Sequence, residues 1–395
     1  VNSDPSDMRT SPAEEMENIA VLSQWQLIWQ RFKQHKLALS SLYVLGILYF
    51  IALMAGFFAP QKAGFKNLEY TYCPPQLPRF SFSRGFYADD LQRHVDPVSL
   101  EQYYLRDPHR WVPLGFFVKG EPYQLLGVIP MERRFFGVDR EEYQDLSAEH
   151  REKAEAGEWP GFYFLGADSY GRDIFSRLLF GSQISLSIGV VGIGITFLLG
   201  VIIGGFSGYC SGFIDTIIQR LIEILNSFPQ LPLWMAIAAV MPREWSALRI
   251  YFGITIVLSL LNWTQLARIV RGKILSLREE DYGVAARLLG AGHTRVLFLH
   301  LLPGFTSHII VTLTLSIPIM ILGETALSFL GLGLRPPVVS WGVMLQDAMN
   351  LQVVANYPWL LAPVILIILT VLAFNFVGDG LRDAADPYGD VNISK

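Results

Sequence analysis

Cysteine is almost absent. Cys73 and Cys210 are the only two in 395 residues, which excludes a disulfide framework and a multi-cysteine metal site. Charge is scarce too: 17% of the chain is charged, 51% is hydrophobic and mean hydropathy is +0.34, a balance too apolar for a soluble enzyme of this length. A basic surplus is missing, since 31 Lys and Arg face 35 Asp and Glu for a net charge of -4, so nucleic acid is not an expected partner. Several chemical signatures are missing as well. The chain has no HExxH and no GxSxG, and Gly272-Lys273 is followed by Ile274 without an upstream glycine loop, so there is no Walker sequence. No catalytic residue, metal ligand or cofactor is expected. The polar stretch through Gln34 lacks the small-residue cleavage site of a secretory signal, so the first apolar run is expected to remain as an anchor.

What the sequence does have is apolar length. Stretches able to cross roughly 30 Å of hydrocarbon as helices run over Leu37–Pro60, Ile184–Phe206, Ile250–Ala267, Phe305–Leu322 and Trp359–Val377. Another, over Thr216–Val240, is interrupted by Arg220, Glu223, Asn226, Pro229 and Pro232. The expectation is an all-α membrane protein with six transmembrane helices and lipid as its solvent. Arg31, Lys33 and Lys36 precede the first span, while Arg268, Arg271, Lys273, Arg278, Arg287 and Arg295 crowd the loop between the fourth and fifth. Basic flanks stay in the cytoplasm, which puts both segments there. Arg243 and Arg249, after the third span, run against that rule.

The resulting division is a cytoplasmic amphipathic segment (1–36), a first transmembrane helix (37–60), a periplasmic insertion (61–181), a transmembrane core (182–381) containing a cytoplasmic loop (268–304), and a cytoplasmic tail (382–395). Cys73 and Cys210 then lie on opposite sides of the bilayer. Within the insertion, the run from Trp111 to Gly127 reads as two short strands around Lys119-Gly120, and Glu141–Gly157 reads as helical. Two roles fit the insertion: an ordered spacer, or a docking or gating element.

The second span carries small-xxx-small pairs at Gly200/Gly204 and Gly204/Gly208, which suit close helix packing. In the third, Gln219, Glu223, Asn226 and Gln230 recur at helical spacing and form one polar face. Either this is an interhelix hydrogen-bond ladder or it lines a translocation path, with Arg220 a local partner for Glu223 and Pro229 and Pro232 breaking the helix beside it.

The cytoplasmic loop holds the most specific motif, DYGVAARLLGAGHTRVLFLHLLP, from Asp281 to Pro303. A short helix over Val284–Leu289 can end on a left-handed Gly290, and Ala285 and Ala286 leave a flat, small surface. A second helix can start with Thr294 as N-cap and end at Pro303, where the chain leads into the fifth span. A rigid, small-faced helix of this kind suits insertion into a groove on a cytoplasmic partner.

This loop resembles that of the inner-membrane permeases of binding-protein-dependent ABC importers, in the dipeptide, oligopeptide and nickel branch. The match rests on Ala285, Ala286, Gly290, Leu302 and Pro303; Val284 stands where the general motif has Glu, and His300 where it has a hydrophobic residue. LGADSYGRDIFSRLLFGSQISL (Leu165–Leu186), ETALSFLGLGLRPPVVSWGVML (Glu324–Leu345) and the N-terminal WQLIWQRFKQHKLAL are similar to the same branch. The resemblance implies a type I importer permease in the bacterial inner membrane, with six spans and both termini cytoplasmic; it leaves the large insertion between the first two helices, read from the span positions, largely outside. It further implies a second homologous permease subunit, two ATPase subunits that hold ATP and Mg, and a periplasmic substrate-binding protein. The coupling residues would be Asp281, Val284, Ala285, Ala286, Gly290, Leu302 and Pro303. A peptide-like solute is the expected cargo, with oligosaccharide or nickel as alternatives. A secondary transporter is the rival class, and the lack of an internal repeat weighs against it. In the outer blocks, Asp168, Arg172, Asp173, Glu324 and Asp347 fit structural roles better than substrate contact.

Overall fold

The computed structural model describes residues 24–386 apart from 99–101, 146–150, 153–154, 156–158 and 243. Expectations for residues 1–23, for Arg243, for most of the 382–395 tail and for much of Glu141–Gly157 lie outside the described residues; of the last, a helix over Arg140–Asp145 is described.

Helix α1 (Gln24–Gln34) is amphipathic, burying Ile28 and Phe32 and exposing Trp25 and Trp29. His35 separates it from α2 (Lys36–Leu53), whose start it caps by accepting the Ala38 N–H on Nδ1 at 3.1 Å. One further turn, α3 (Ala55–Phe58), follows. The core then comprises α4 (Ile174–Cys210), α5 (Gly212–Ser227), α6 (Gln230–Ala239), α7 (Ala247–Leu277), the loop helix α8 (Asp281–Leu288), α9 (His293–Phe329) and α10 (Pro358–Ala385). Helices α2, α4, α7, α9 and α10 are each long and apolar enough to cross a membrane.

The third expected span is two helices. α5 and α6 meet at 87°, so among the described residues five helices are long and apolar enough to span, or six if the bent pair is one span. Phe228 and Pro229 are both extended at the corner (ψ 138° and 129°). Pro229 offers no N–H to continue α5, whereas Pro232 falls in the first turn of α6, where a missing N–H costs nothing. Helix α4 starts ten residues before the expected Ile184 because Asp173 caps it, accepting the N–H of Phe175 (3.3 Å) and of Ser176 (2.7 Å).

Helices α4 and α7 meet backbone to backbone. A Cβ on Gly204 would stand 2.4 Å from the Ala267 carbonyl oxygen, one on Gly208 2.8 Å from that of Arg271, and one on Gly200 2.7 Å from the Leu266 side chain. Spaced four apart, these positions share one face, and their lack of side chains lets backbone meet backbone. At the other end of α4 the fully buried Glu324 ties three segments together. Its carboxylate accepts hydrogen bonds from Ser185 of α4 (3.1 Å), Ser328 of α9 (2.8 Å) and Ser340 in the loop after α9 (2.7 Å). Three hydroxyl donors offset what desolvating that carboxyl group costs.

Between α3 and α4 stands a four-stranded antiparallel sheet in the order β1 (Arg79–Ser81), β2 (Gly85–Val95), β3 (Gln102–Leu125), β4 (Ile129–Val138). An all-α chain has no such element, so that expectation holds for the span-bearing part and is corrected here. Strand β3 also continues through Lys119-Gly120, with a bulge between Lys119 and Tyr123, and the chain reverses later, over Leu126–Val128. Gly120 serves an approach rather than a turn, since a Cβ there would lie 2.8 Å from Arg134 Nε; the reversal has its positive φ angles at Leu126 and Gly127, and Phe117 within β3 has one as well.

If the glycine seam sets the α4–α7 distance, Gly204→Leu should destabilise the bundle by at least the ~1–3 kcal/mol typical of overpacking. Gly194→Ala, on the same helix with nothing within 4 Å of its added Cβ, should be neutral. Thermal unfolding in detergent checks the pair.

Candidate functional site

Helix α7 ends at Leu277, and a short turn leads to α8, whose N-cap is Glu280. Asp281, in the first turn, complements the positive end of the helix dipole. Gly283 lets α8 fold back against α7, because a Cβ there would be 3.0 Å from the Leu277 carbonyl oxygen. Arg287 donates to the Arg278 carbonyl at 2.7 Å, and Gly290, at φ +82°, reverses the chain as its position predicts.

The return arm departs from expectation. Gly292 precedes the first helical residue in place of Thr294, and Pro303 does not stop the helix: residues His293–Phe329 form one element whose opening passes through a π-turn and a 3-10 turn. A π-turn and a 3-10 turn absorb the missing N–H of Pro303 without ending the helix. Leu302 is half-buried and Pro303 exposed.

The two alanines part company. Ala286 is buried with Val296, Leu297, Leu301 and Phe305, while Ala285 is exposed, because successive helical positions point about 100° apart. Val284 is half-buried between them. The free face of α8 therefore consists of Asp281, Tyr282 and Ala285, continued by Leu288 and Leu289, which are 83% and 88% exposed. Burial, then the nearby Glu280 carboxylate, push the Tyr282 phenol above its ordinary value. Leu288 and Leu289 were not among the sequence candidates; two leucines beside a helix-ending glycine in a charged loop were the available signal.

Clamps hold the hairpin to the rest of the chain. Arg278 donates to the carbonyls of Gly208 (3.3 Å) and Tyr209 (3.4 Å) at the end of α4, and the His293 ring meets the Tyr209 hydroxyl at 3.1 Å. Arg271 makes a two-pronged pair with Asp215 of α5 (2.5 and 2.6 Å), and Ser207 and Gln219 complete the cluster. Paired guanidinium–carboxylate geometry of this type is the strong form of an ion pair.

The polar stripe is divided among neighbours. Gln219 donates to Ser207 of α4 (3.1 Å); Asn226 accepts from Thr264 (3.1 Å) and Gln230 donates to Asn262 (3.1 Å), both on α7. Glu223 pairs with Arg220 at 2.6 Å on an open surface. Three of the four thus link helices, Asn226 and Gln230 from exposed positions, and Glu223 alone has its partner on its own helix. A separate feature has the size of a ligand site: an open cavity of about 530 Å³ between α7, α9 and the end of α10, with Gln265, His308, Thr312, Ser316 and Arg382 among its walls. His308, Thr312 and Ser316 recur at i, i+4 and i+8 on α9, and that spacing was legible in the sequence.

Comparison with known proteins places these parts. The family described as binding-protein-dependent transport system inner membrane component matches residues 175–388, and the N-terminal TM domain of oligopeptide transport permease C matches residues 23–75. The oligopeptide transport system permease protein OppC of Bacillus subtilis is 41% identical over 226 residues, covering 57% of this chain and 72% of that protein. The glutathione transport system permease protein GsiD of Pectobacterium atrosepticum is 40% identical over 225 residues (57% and 72%). The dipeptide transport system permease protein DppC of Bacillus subtilis is 40% identical over 225 residues (57% and 68%). The sheet falls outside both family matches.

The burial difference within α8 is directly testable. Ala286→Arg should unfold the hairpin by burying an unpaired charge, whereas Ala285→Arg should change stability by less than about 0.5 kcal/mol. Limited proteolysis of the loop, together with thermal unfolding, reports both.

Proposed function

The chain belongs to the family of binding-protein-dependent transport system inner membrane components, and from that membership we propose how its parts divide the work of import. It is the permease subunit of an ABC importer for peptide-like solutes, and ATP hydrolysis lies in separate subunits. Our reading is that the free face of α8 rests in a cleft of an ATPase subunit. The observation that carries it is the outward row Tyr282, Ala285, Leu288 and Leu289 on a helix whose reverse side is locked against α7 and α9. Exposed leucines on a charged loop cost solubility unless a partner covers them.

The complete machine we infer has two such permeases, two ATPase subunits carrying ATP and Mg, and a soluble binding protein that delivers the solute. On this reading α8 and both termini are cytoplasmic, and the sheet faces the periplasm. Closure of the ATPase pair would push α8. The root of the hairpin is tied to α4 by Arg278, and α7, which carries it, is tied to α5 by Arg271, so the push would reach the bundle as a rigid-body displacement. The open cavity beside His308, Thr312 and Ser316 supports a place for half of the solute path, its missing wall supplied by the second permease. Its mixed lining of hydroxyls, amide and aliphatic groups suits a peptide backbone with varied side chains.

The test is reconstitution into proteoliposomes with the partner subunits and binding protein. Leu288→Asp and Gly290→Val should each abolish ATP-dependent peptide uptake, the first by charging the docking face and the second by forbidding the left-handed turn. The chain should still insert in the membrane. Full uptake by Leu288→Asp would remove the docking role from this face.

A further inference from the structure

The β3–β4 hairpin ends in an unusual sequence. From Pro122 to Met131 there is no charged residue, and the turn itself reads Leu125-Leu126-Gly127-Val128-Ile129-Pro130. Its side chains are open: Leu126 is 47% exposed, Val128 79% and Ile129 49%. Leu126 and Gly127 both have positive φ (56° and 71°). Asn or Asp suits the first of these positions better in water, both for its backbone and for its solubility. An apolar side chain kept at a turn position that disfavours it points to apolar surroundings.

The direction of the hairpin supplies the second observation. Gly137 lies against Pro60, Arg134 donates to the carbonyls of Ala59 (2.7 Å) and Gly56 (3.4 Å), and Tyr123, which pairs with Met131, packs on Gly56. Reading β4 back from 137 to 131 therefore walks from Pro60 towards Leu53, where span α2 ends. Three residues further, at a strand rise of about 3.4 Å each, the tip extends roughly 10 Å beyond the level of Gly56 in the direction of Leu53. A belt of rings surrounds this approach: Phe57 and Phe58 meet Phe135, Phe57 meets Phe117, and Phe58 meets Phe50 of α2. The first charges above the tip are Glu132 and Arg133 on β4 and Glu121 and Lys119 on β3, with Lys119 and Glu132 paired at 3.9 Å. Along both strands these charges follow directly after the tip and Phe117 and Phe135 lie beyond them, so the uncharged part of the hairpin is confined to the turn and the few residues beside it.

We infer that the β3–β4 hairpin is inserted tip first into the lipid leaflet around the Leu53 end of α2, with lipid covering Leu126, Val128 and Ile129. The exposed face of α2 beside it (Tyr43, Ile47, Phe50) is that of a membrane span, so the hairpin surface continues an existing lipid contact. The inference rests on α2 crossing the bilayer and is independent of transport. It gives the sheet a definite job: a second anchor that fixes its tilt over the bundle.

The full chain carrying Cys210→Ser, in which the remaining Cys73 is buried, can be spin-labelled at Val128→Cys in phosphatidylcholine nanodiscs. Ile47→Cys serves as the lipid-facing reference and Val98→Cys, 91% exposed at the opposite tip of the sheet, as the aqueous one. Power saturation with oxygen and with a neutral nickel chelate reads the surroundings. The expected oxygen-to-nickel ratio at Val128 matches that at Ile47 and exceeds that at Val98 several-fold, and adding Leu126→Asp should raise nickel access at Val128. Ile129→Cys repeats the measurement if Val128→Cys fails to insert. Nickel access equal to that at Val98 would overturn the inference, and so would shielding from both reagents, which would mean a protein partner covers the tip.

Discussion

The backbone contact between α4 and α7 is the constraint from which the working end of this protein follows. Gly204 meets the Ala267 carbonyl at a distance no side chain would permit, and Gly208 repeats the approach one turn on at Arg271. In lipid, helix association cannot draw on the hydrophobic effect, so packing of this closeness is a principal source of cohesion. It also fixes where α7 ends, and with it the root of the α8 hairpin. Arg278 there reaches the final carbonyls of α4, and Arg271 reaches Asp215 on α5, the helix that follows α4 directly.

Seen from that root, α8 is an outrigger with two unlike sides. Ala286 and Gly283 face inward, where any larger group would push the hairpin off α7 and α9, and Ala285 and the two leucines face away. A lever needs both properties. The inner side must transmit displacement without slack, and the outer side must be free for another molecule to grip. The same logic separates the polar stripe from the cavity. Gln219, Asn226 and Gln230 use their amides on neighbouring helices, whereas Thr312 and Ser316 satisfy their hydroxyls on their own α9 carbonyls and leave a wide opening unfilled.

At the opposite end of the bundle, Glu324 and its three serines perform for α4 and α9 what the arginine clamps perform near α8. Asp168 gathers Arg172 (2.6 Å) and Arg177 (3.6 Å) beside the start of α4, and Asp347 accepts from Ser169 (3.0 Å). These acids are committed to holding segments together. The bundle is thus pinned at both ends, which favours motion of whole helices over bending within them.

Much of this was written in the chain itself. Hydrophobic length alone located the spans, because a bilayer leaves so few ways to bury a backbone, and the run from Asp281 to Pro303 declared its turn through Gly290, a residue whose backbone freedom is local. Glycines at 200, 204 and 208 likewise announced a close contact. Tertiary structure decided the rest. Which helix those glycines meet, which of two adjacent alanines is buried, and whether Glu223 faces a path or open surface depend on neighbours distant in sequence. The corner between α5 and α6 was marked by Pro229, but its angle of 87° was not, since proline removes a hydrogen bond without dictating where the chain then goes. The long strand through Lys119-Gly120 escaped for a similar reason: Gly120 signals a need for space, and only Arg134 packed against it reveals that the need is a side chain's passage and no turn at all.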